Sequence, residues 1–151
     1  MNIKTTITYT RSPELLVREF RKVVKATLKD TGTLWHKKFL PWHFKEFAGA
    51  KYGYRKRSSS YAKKKLRLRG HRNPLVWSGR MQRELMRRRQ LTGTAKAVRV
   101  RMTGPPYLKY HNKPRELTAI TEKEAQALAQ ALHDQTTQAI RQLKERRTVE
   151  V

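Results

Sequence analysis

The sequence predicts an α+β fold: a small antiparallel sheet flanked by a long N-terminal helix and a long C-terminal helix, with an extended basic loop or arm between them. Two observations carry the fold class. Apolar residues alternate with a period of two at 2–10 and 95–102, and recur at helical spacing after residues 12 and 121. A third sets the arm apart. Between Glu46 and Glu84 there is no Asp or Glu, while Lys and Arg are dense and interleaved with Tyr52, Tyr54, Tyr61 and Trp77.

Asn2 to Thr10 places Ile3, Thr5, Ile7 and Tyr9 on one side and Lys4, Thr6 and Thr8 on the other, as a half-buried strand does. Ser12-Pro13-Glu14 then carries a capping hydroxyl, a proline at the first helical position and an acid at the positive end of the helix dipole. Leu16, Phe20, Val23, Val24, Thr27 and Leu28 give the helix one core-facing stripe. Gly32 either ends this helix or is carried inside a longer one. Trp35, Phe39, Trp42, Phe44 and Phe47 follow within an aromatic-rich segment that Pro41 is expected to break.

The arm covers 47–74. A short helix is expected to start after Ser58 or Ser59 and stop at Gly70, burying Tyr61, Leu66 or Leu68, with loop on either side. Leu75 to Arg88 reads as a helix entered through Ser78-Gly79, with Met81, Leu85 and Met86 as its inward candidates. Ala95 to Met102 turns Val98, Val100 and Met102 one way and Arg99 and Arg101 the other. Gly93 suits the turn from a short preceding strand near 90–92. Finally Thr121 and Glu124 form a capping-box pattern. Ala125, Leu128, Ala129, Leu132, Thr136, Ala139, Ile140 and Leu143 keep helical spacing beyond it. That stripe either covers the sheet or meets a coiled-coil partner; the sheet-covering reading is the one we adopt.

The 151 residues suffice for one domain, 1–151, with its own core. The 36 Lys and Arg against 11 Asp and Glu leave a net charge of +25, which opposes compaction unless an anionic partner accepts it. Six of the acids lie after residue 115, so the middle is almost purely cationic. The residues expected to meet nucleic acid or another polyanion are Lys51, Arg55, Lys56, Arg57, Lys63, Lys64, Lys65, Arg67, Arg69 and Arg72 in the arm, with Arg99 and Arg101 on the strand. The aromatics Trp35, Phe39, Trp42, Phe44 and Trp77 are the expected contacts to subunits or partners, or the cover of a core edge. Arg is at least as prominent as Lys, which suits bidentate phosphate contacts.

Several chemistries find no support. No Cys is present, so disulfides, thiolate metal sites and cysteine nucleophiles are excluded. His36 and His43 would suit a metal only if they shared a face, which Pro41 disrupts. No apolar run approaches the roughly 18 residues that span a bilayer, so no membrane partner is expected, although the aromatic segment also admits an interfacial reading. No dinucleotide, Walker or zincin motif occurs, and no cofactor is expected. His71 and His111 beside Arg and Tyr leave a metal-independent ribonuclease imaginable, but an enzyme is not the expectation. No zinc-finger, RNA-recognition or helix-turn-helix signature stands out, so the cations address phosphate rather than sequence.

The segment Pro74-Leu75-Val76-Trp77-Ser78-Gly79-Arg80-Met81 resembles the "Leu-Val-x-Ser/Thr-Gly-x-Leu/Met" stretch of tailed-bacteriophage neck and tail-completion proteins. Upstream, Lys51-Tyr52-Gly53-Tyr54, Arg57-Ser58 and Tyr61 followed by Lys65 are similar to the lead-in of some members. Downstream, Tyr107 and Tyr110-His111-Asn112, then Pro114-Arg115-Glu116-Leu117 and a long helix, fall in the same order. Pro and Arg are transposed in that connector, and the usual Gly after the histidine is missing. The resemblance covers roughly residues 50 to 145. It implies a structural virion protein: a head-tail joining or tail-completion subunit, several copies of which form a ring, a hexamer or dodecamer, against portal, adaptor or tail-tube proteins. Double-stranded DNA would pass through its channel, and the ring would be assembled in the host cytoplasm. The alternative reading is a stand-alone, sequence-nonspecific nucleic-acid-binding protein.

Overall fold

The computed structural model describes residues 13–87, 89–106, 108 and 114–148. The predicted strand at 2–10, the Ser12 cap and the Tyr110-His111-Asn112 turn lie outside them. In chain order the elements are α1 (Pro13–Leu34), a π-helical turn (Trp35–Phe39), a 3-10 turn (Leu40–Phe44), α2 (Ala48–Lys51), α3 (Ser59–Arg69), α4 (Arg80–Arg87), β1 (Arg89–Gly93), β2 (Val98–Met102), α5 (Pro114–Thr118) and α6 (Glu122–Thr148). The fold is α+β and mostly helical, with a long helix towards each end of the chain and one antiparallel hairpin, β1–β2.

The centre is α1. The hairpin packs on it and so does α6. The final helix therefore lies against a helix rather than over the sheet, which corrects the sheet-covering expectation. Two strands offer too narrow a face for a 27-residue helix, whereas α1 gives it a long groove. Thr136 Oγ1 meets Thr27 Oγ1 at 3.2 Å across that seam. Thr27 also bonds back to the Val23 and Val24 carbonyls, so its hydroxyl is satisfied where it is buried.

Gly32 does not end α1. A Cβ there would come within 3.2–3.3 Å of the side chains of Val100, Leu91 and Val98. The glycine is the point where the hairpin's apolar face presses closest to the helix. The period-two pattern of the hairpin is as expected: Val98, Val100 and Met102 are half-buried, Arg99 and Arg101 exposed, and Leu91 pairs with Val100.

Pro41 does not break the helical path; it changes its type. The Leu40 N–H reaches the Trp35 carbonyl, a five-residue span that widens the turn just before the proline, and the next turn tightens to 3-10 with Pro41 in its first positions. Widening then tightening finds room for a ring that would collide with an α-helical carbonyl. It also aims Trp35, Phe39, Leu40 and Phe44 inward, where they build the main core with Val76, Met81, Leu85 and Leu117. Burying one such side chain contributes about 1.5–3 kcal/mol. Leu75 takes a left-handed φ of 58°. That conformation is costly for a branched side chain, and here it accompanies the insertion of its neighbour Val76 into the core.

Candidate polyanion-binding surface

The arm is more ordered than an extended loop. Ser58 Oγ accepts from the Tyr61 N–H to start α3, and Gly70 ends it in the left-handed conformation at φ 69°. The helix has almost no apolar stripe to bury. Tyr61, Leu66 and Leu68, the expected buried candidates, are all exposed, and the residue facing inward is Lys65, 4 % exposed. Its ammonium donates to the Asn73 carbonyl at 2.5 Å. Burial, and then the charge of Arg57, pull the Lys65 pKa below its ordinary value.

This placement sorts the expected contact residues. Arg55, Lys56, Lys63, Lys64, Arg67, Arg69 and Arg72 are exposed along the arm, and no ion pair restrains them among the described residues. Arg57 is also exposed, with Glu116 at 3.5 Å. Arg99 and Arg101 stand on the outer face of the hairpin, opposite the neutral Thr92 and Gln90. Two assignments are corrected. Lys65 is turned into the subunit. Lys51 pairs with Glu124 at 2.7 Å and lies 3.6 Å above the Trp42 ring, so its charge is met within the chain.

The aromatics also divide. Trp35, Phe39 and Phe44 are buried in the core and are not surface contacts, because the widened turn before Pro41 swings them inward. Trp42 is half-buried, edge-on to Phe39 at 5.1 Å. Trp77 alone of the five stays largely open, 40 % exposed, beside Tyr61 at 6.0 Å and with the Arg69 guanidinium 5.3 Å from its ring. Tyr61 and Trp77 line a cleft of about 520 Å³ between α3 and the Pro74–Met81 segment, together with Arg57, Lys65 and Arg72. Sequence reasoning missed this cleft because its walls come from segments joined only by the turn after Gly70. The alternation of cations and aromatics was the available signal. On α1 the expected stripe is half-buried or buried at Leu16, Val23, Val24, Thr27 and Leu28, but Phe20, expected in the core, is 49 % exposed.

Under the basic surface lies a polar network. His43 is fully buried, its Nδ1 2.9 Å from the Glu116 carbonyl and 2.5 Å from the Tyr54 hydroxyl. A proton on Nδ1 satisfies that carbonyl, while Nε2 has no hydrogen-bond partner among the described residues. Burial lowers the His43 pKa, with Lys51 adding to the effect and the Glu116 carbonyl and Glu124 opposing it. Tyr52 stacks on the imidazole at 3.9 Å and donates to Glu124 Oε1 at 2.7 Å. Burial alone would raise the Glu124 carboxyl; Lys51, Tyr52 and the Thr121 amide outweigh it and hold it below the usual range. Burial and the neighbouring Glu124 push the Tyr52 hydroxyl far above its normal range, and burial pushes the Tyr54 hydroxyl up as well. Glu124 also closes the expected capping box, accepting from the Thr121 N–H while Thr121 Oγ1 accepts from its own. One carboxylate thus starts α6 and anchors the base of the arm.

His36 is engaged elsewhere. It donates from Nε2 to the Leu85 carbonyl at 2.9 Å and accepts at Nδ1 from Arg89 at 3.2 Å. The two histidines serve separate contacts and do not share a ligand face. Among the described residues no group of three or more His, Cys, Asp or Glu side chains converges as a metal site would require. No described helix is long and apolar enough to cross a membrane.

Compared with known proteins, the chain has no significant match to any family model, curated protein or solved structure.

Proposed function

We propose that this chain is a structural virion protein, a ring-forming subunit of the neck or tail terminus of a tailed bacteriophage, acting in tail completion or head-tail joining. The observation that carries the reading is the acid-free stretch from Phe47 to Arg83, most of whose cations point outward with no counter-charge among the described residues. A ring multiplies the +25 of each subunit by its copy number. Such repulsion is tolerable when the charge faces the genome, which carries one negative charge per about 1.7 Å of duplex axis, or an acidic neighbouring ring. The order of the Pro74–Met81, Pro114–Leu117 and last-helix segments supports the same assignment by its resemblance to neck and tail-completion proteins.

In this role the exposed face of α3 and the outer face of the hairpin meet DNA or acidic protein, and of the five aromatics expected as contacts Trp77 is the exposed one. The work is positioning and charge neutralisation, with no bond made or broken. Electron microscopy of the purified protein mixed with portal or tail-tube partners tests the reading: closed rings seated on the partner are expected. A species that remains monomeric with every such partner would overturn it, and steep salt-dependent binding to free DNA without any partner would instead favour the stand-alone nucleic-acid-binding protein.

A further inference from the structure

We propose that the cleft between α3 and the Pro74–Met81 segment holds one unpaired nucleotide of a single strand, its phosphate against the exposed Arg57 and Arg72 and its base against the Tyr61–Trp77 pair. This deepens the polyanion reading above and rests on it. Three features point there. The first is charge. Three cations and no carboxylate line the cleft. Lys65 sits behind this wall, 4 % exposed and bonded to the Asn73 carbonyl, and adds its positive charge to the field of the cleft without reaching its mouth. A cleft with positive walls and no carboxylate attracts a phosphate, and the exposed guanidinium groups of Arg57 and Arg72 suit its oxygens.

The second feature is the pair of rings. Tyr61 and Trp77 are 41 % and 40 % exposed, with centroids 6.0 Å apart and planes tilted by 32°. Flat rings beside guanidinium groups suit stacking with a base. The third is size. A cleft of about 520 Å³ admits a nucleotide, whereas a duplex keeps its bases stacked inside and reaches only the rim cations. The exposed residues of α3 serve phosphates of either kind of strand, so the cleft is what distinguishes them.

The test is fluorescence anisotropy with labelled oligothymidylate of twelve nucleotides, an abasic strand of the same length, a duplex with the same number of phosphates, and an acidic polyglutamate peptide, all at one ionic strength. The proteins are wild type, Trp77→Leu and Arg72→Gln, each checked for an unchanged circular dichroism spectrum. Oligothymidylate is expected to bind wild type about tenfold more tightly than the abasic strand or the peptide. Trp77→Leu is expected to remove about tenfold from oligothymidylate while leaving the duplex within twofold. Arg72→Gln should weaken every phosphate-bearing probe. Equal affinity for abasic and thymidylate strands would overturn the proposal, as would a Trp77→Leu effect that is absent or equal on strand and duplex. Those results leave ring assembly untouched, so a failure here is separable from a failure of the virion role.

Discussion

At the scale of single residues, His43 is one tie between the basic arm and the scaffold, through the Tyr54 hydroxyl. It is buried, bonded through Nδ1 to the Glu116 carbonyl and the Tyr54 hydroxyl, and lies near the Lys51–Glu124 ion pair. Its folded pKa lies below the unfolded value of about 6.5, so the unfolded chain takes up the proton first as the pH falls. The stability due to neutral His43 is therefore complete above about pH 7 and declines as the pH drops below about 6.5. His36 and the depressed Glu124 carboxyl act in the same direction, Glu124 only below its ordinary range. His43→Asn retains a donor near the Glu116 carbonyl but does not titrate. Urea midpoints measured from pH 7.5 to 5 should fall less steeply in this variant than in wild type, even though its stability at pH 7.5 is lower by about 1–2 kcal/mol. Equal slopes would show that acid acts elsewhere. None of this network was legible as a network: His43 lies 11 residues from Tyr54 and 73 from Glu116, and nothing in that spacing says they meet. The Thr121–Glu124 box was legible because it is local, but the second use of Glu124 as the partner of Lys51 was not.

At the scale of elements, the hairpin and α1 meet over Gly32. The contact is tight enough that a methyl group there would press on three branched side chains, Val100, Leu91 and Val98. Gly32→Val should destabilise the fold by about 2–3 kcal/mol, because the hairpin must lift to admit the side chain, a cost that outweighs valine's better helix propensity than glycine's. Thermal or urea unfolding checks it; a neutral result would mean that the hairpin rides loosely on α1. Local signals placed these elements well. Ser58 and Gly70 bound α3, the alternating valines define β2, and Thr121 opens α6. Faces were less legible than boundaries. On α3 the sequence offered Tyr61, Leu66 and Leu68 as core, and the folded chain exposes all three and buries Lys65. Helical periodicity says which residues share a side, but the side that faces inward depends on what the turn at 71–79 brings against it.

At the scale of the whole molecule, electrostatics dominates. The exposed cations of α3 and the hairpin are expected to give DNA binding that weakens steeply with salt, each phosphate contact contributing about 0.9 to the slope of log K against log salt on duplex. Arg99→Gln with Arg101→Gln should lower that slope by about two without loss of stability, since both side chains are exposed and face neutral partners across the hairpin. An unchanged slope would show that the hairpin arginines make no phosphate contact. By itself the sequence determined the α+β class, the two long helices, the hairpin, the capped helix of the arm and the concentration of positive charge, because each is written in short-range spacing, turn chemistry or composition. The tertiary structure alone decided that α6 packs on α1, that Trp35, Phe39 and Phe44 are core, that Lys51 and Lys65 turn inward, and that Tyr61 and Trp77 flank one cleft. Those outcomes depend on which distant surfaces fit against one another, and close packing is settled by the shape of the assembled whole rather than by any local run of residues.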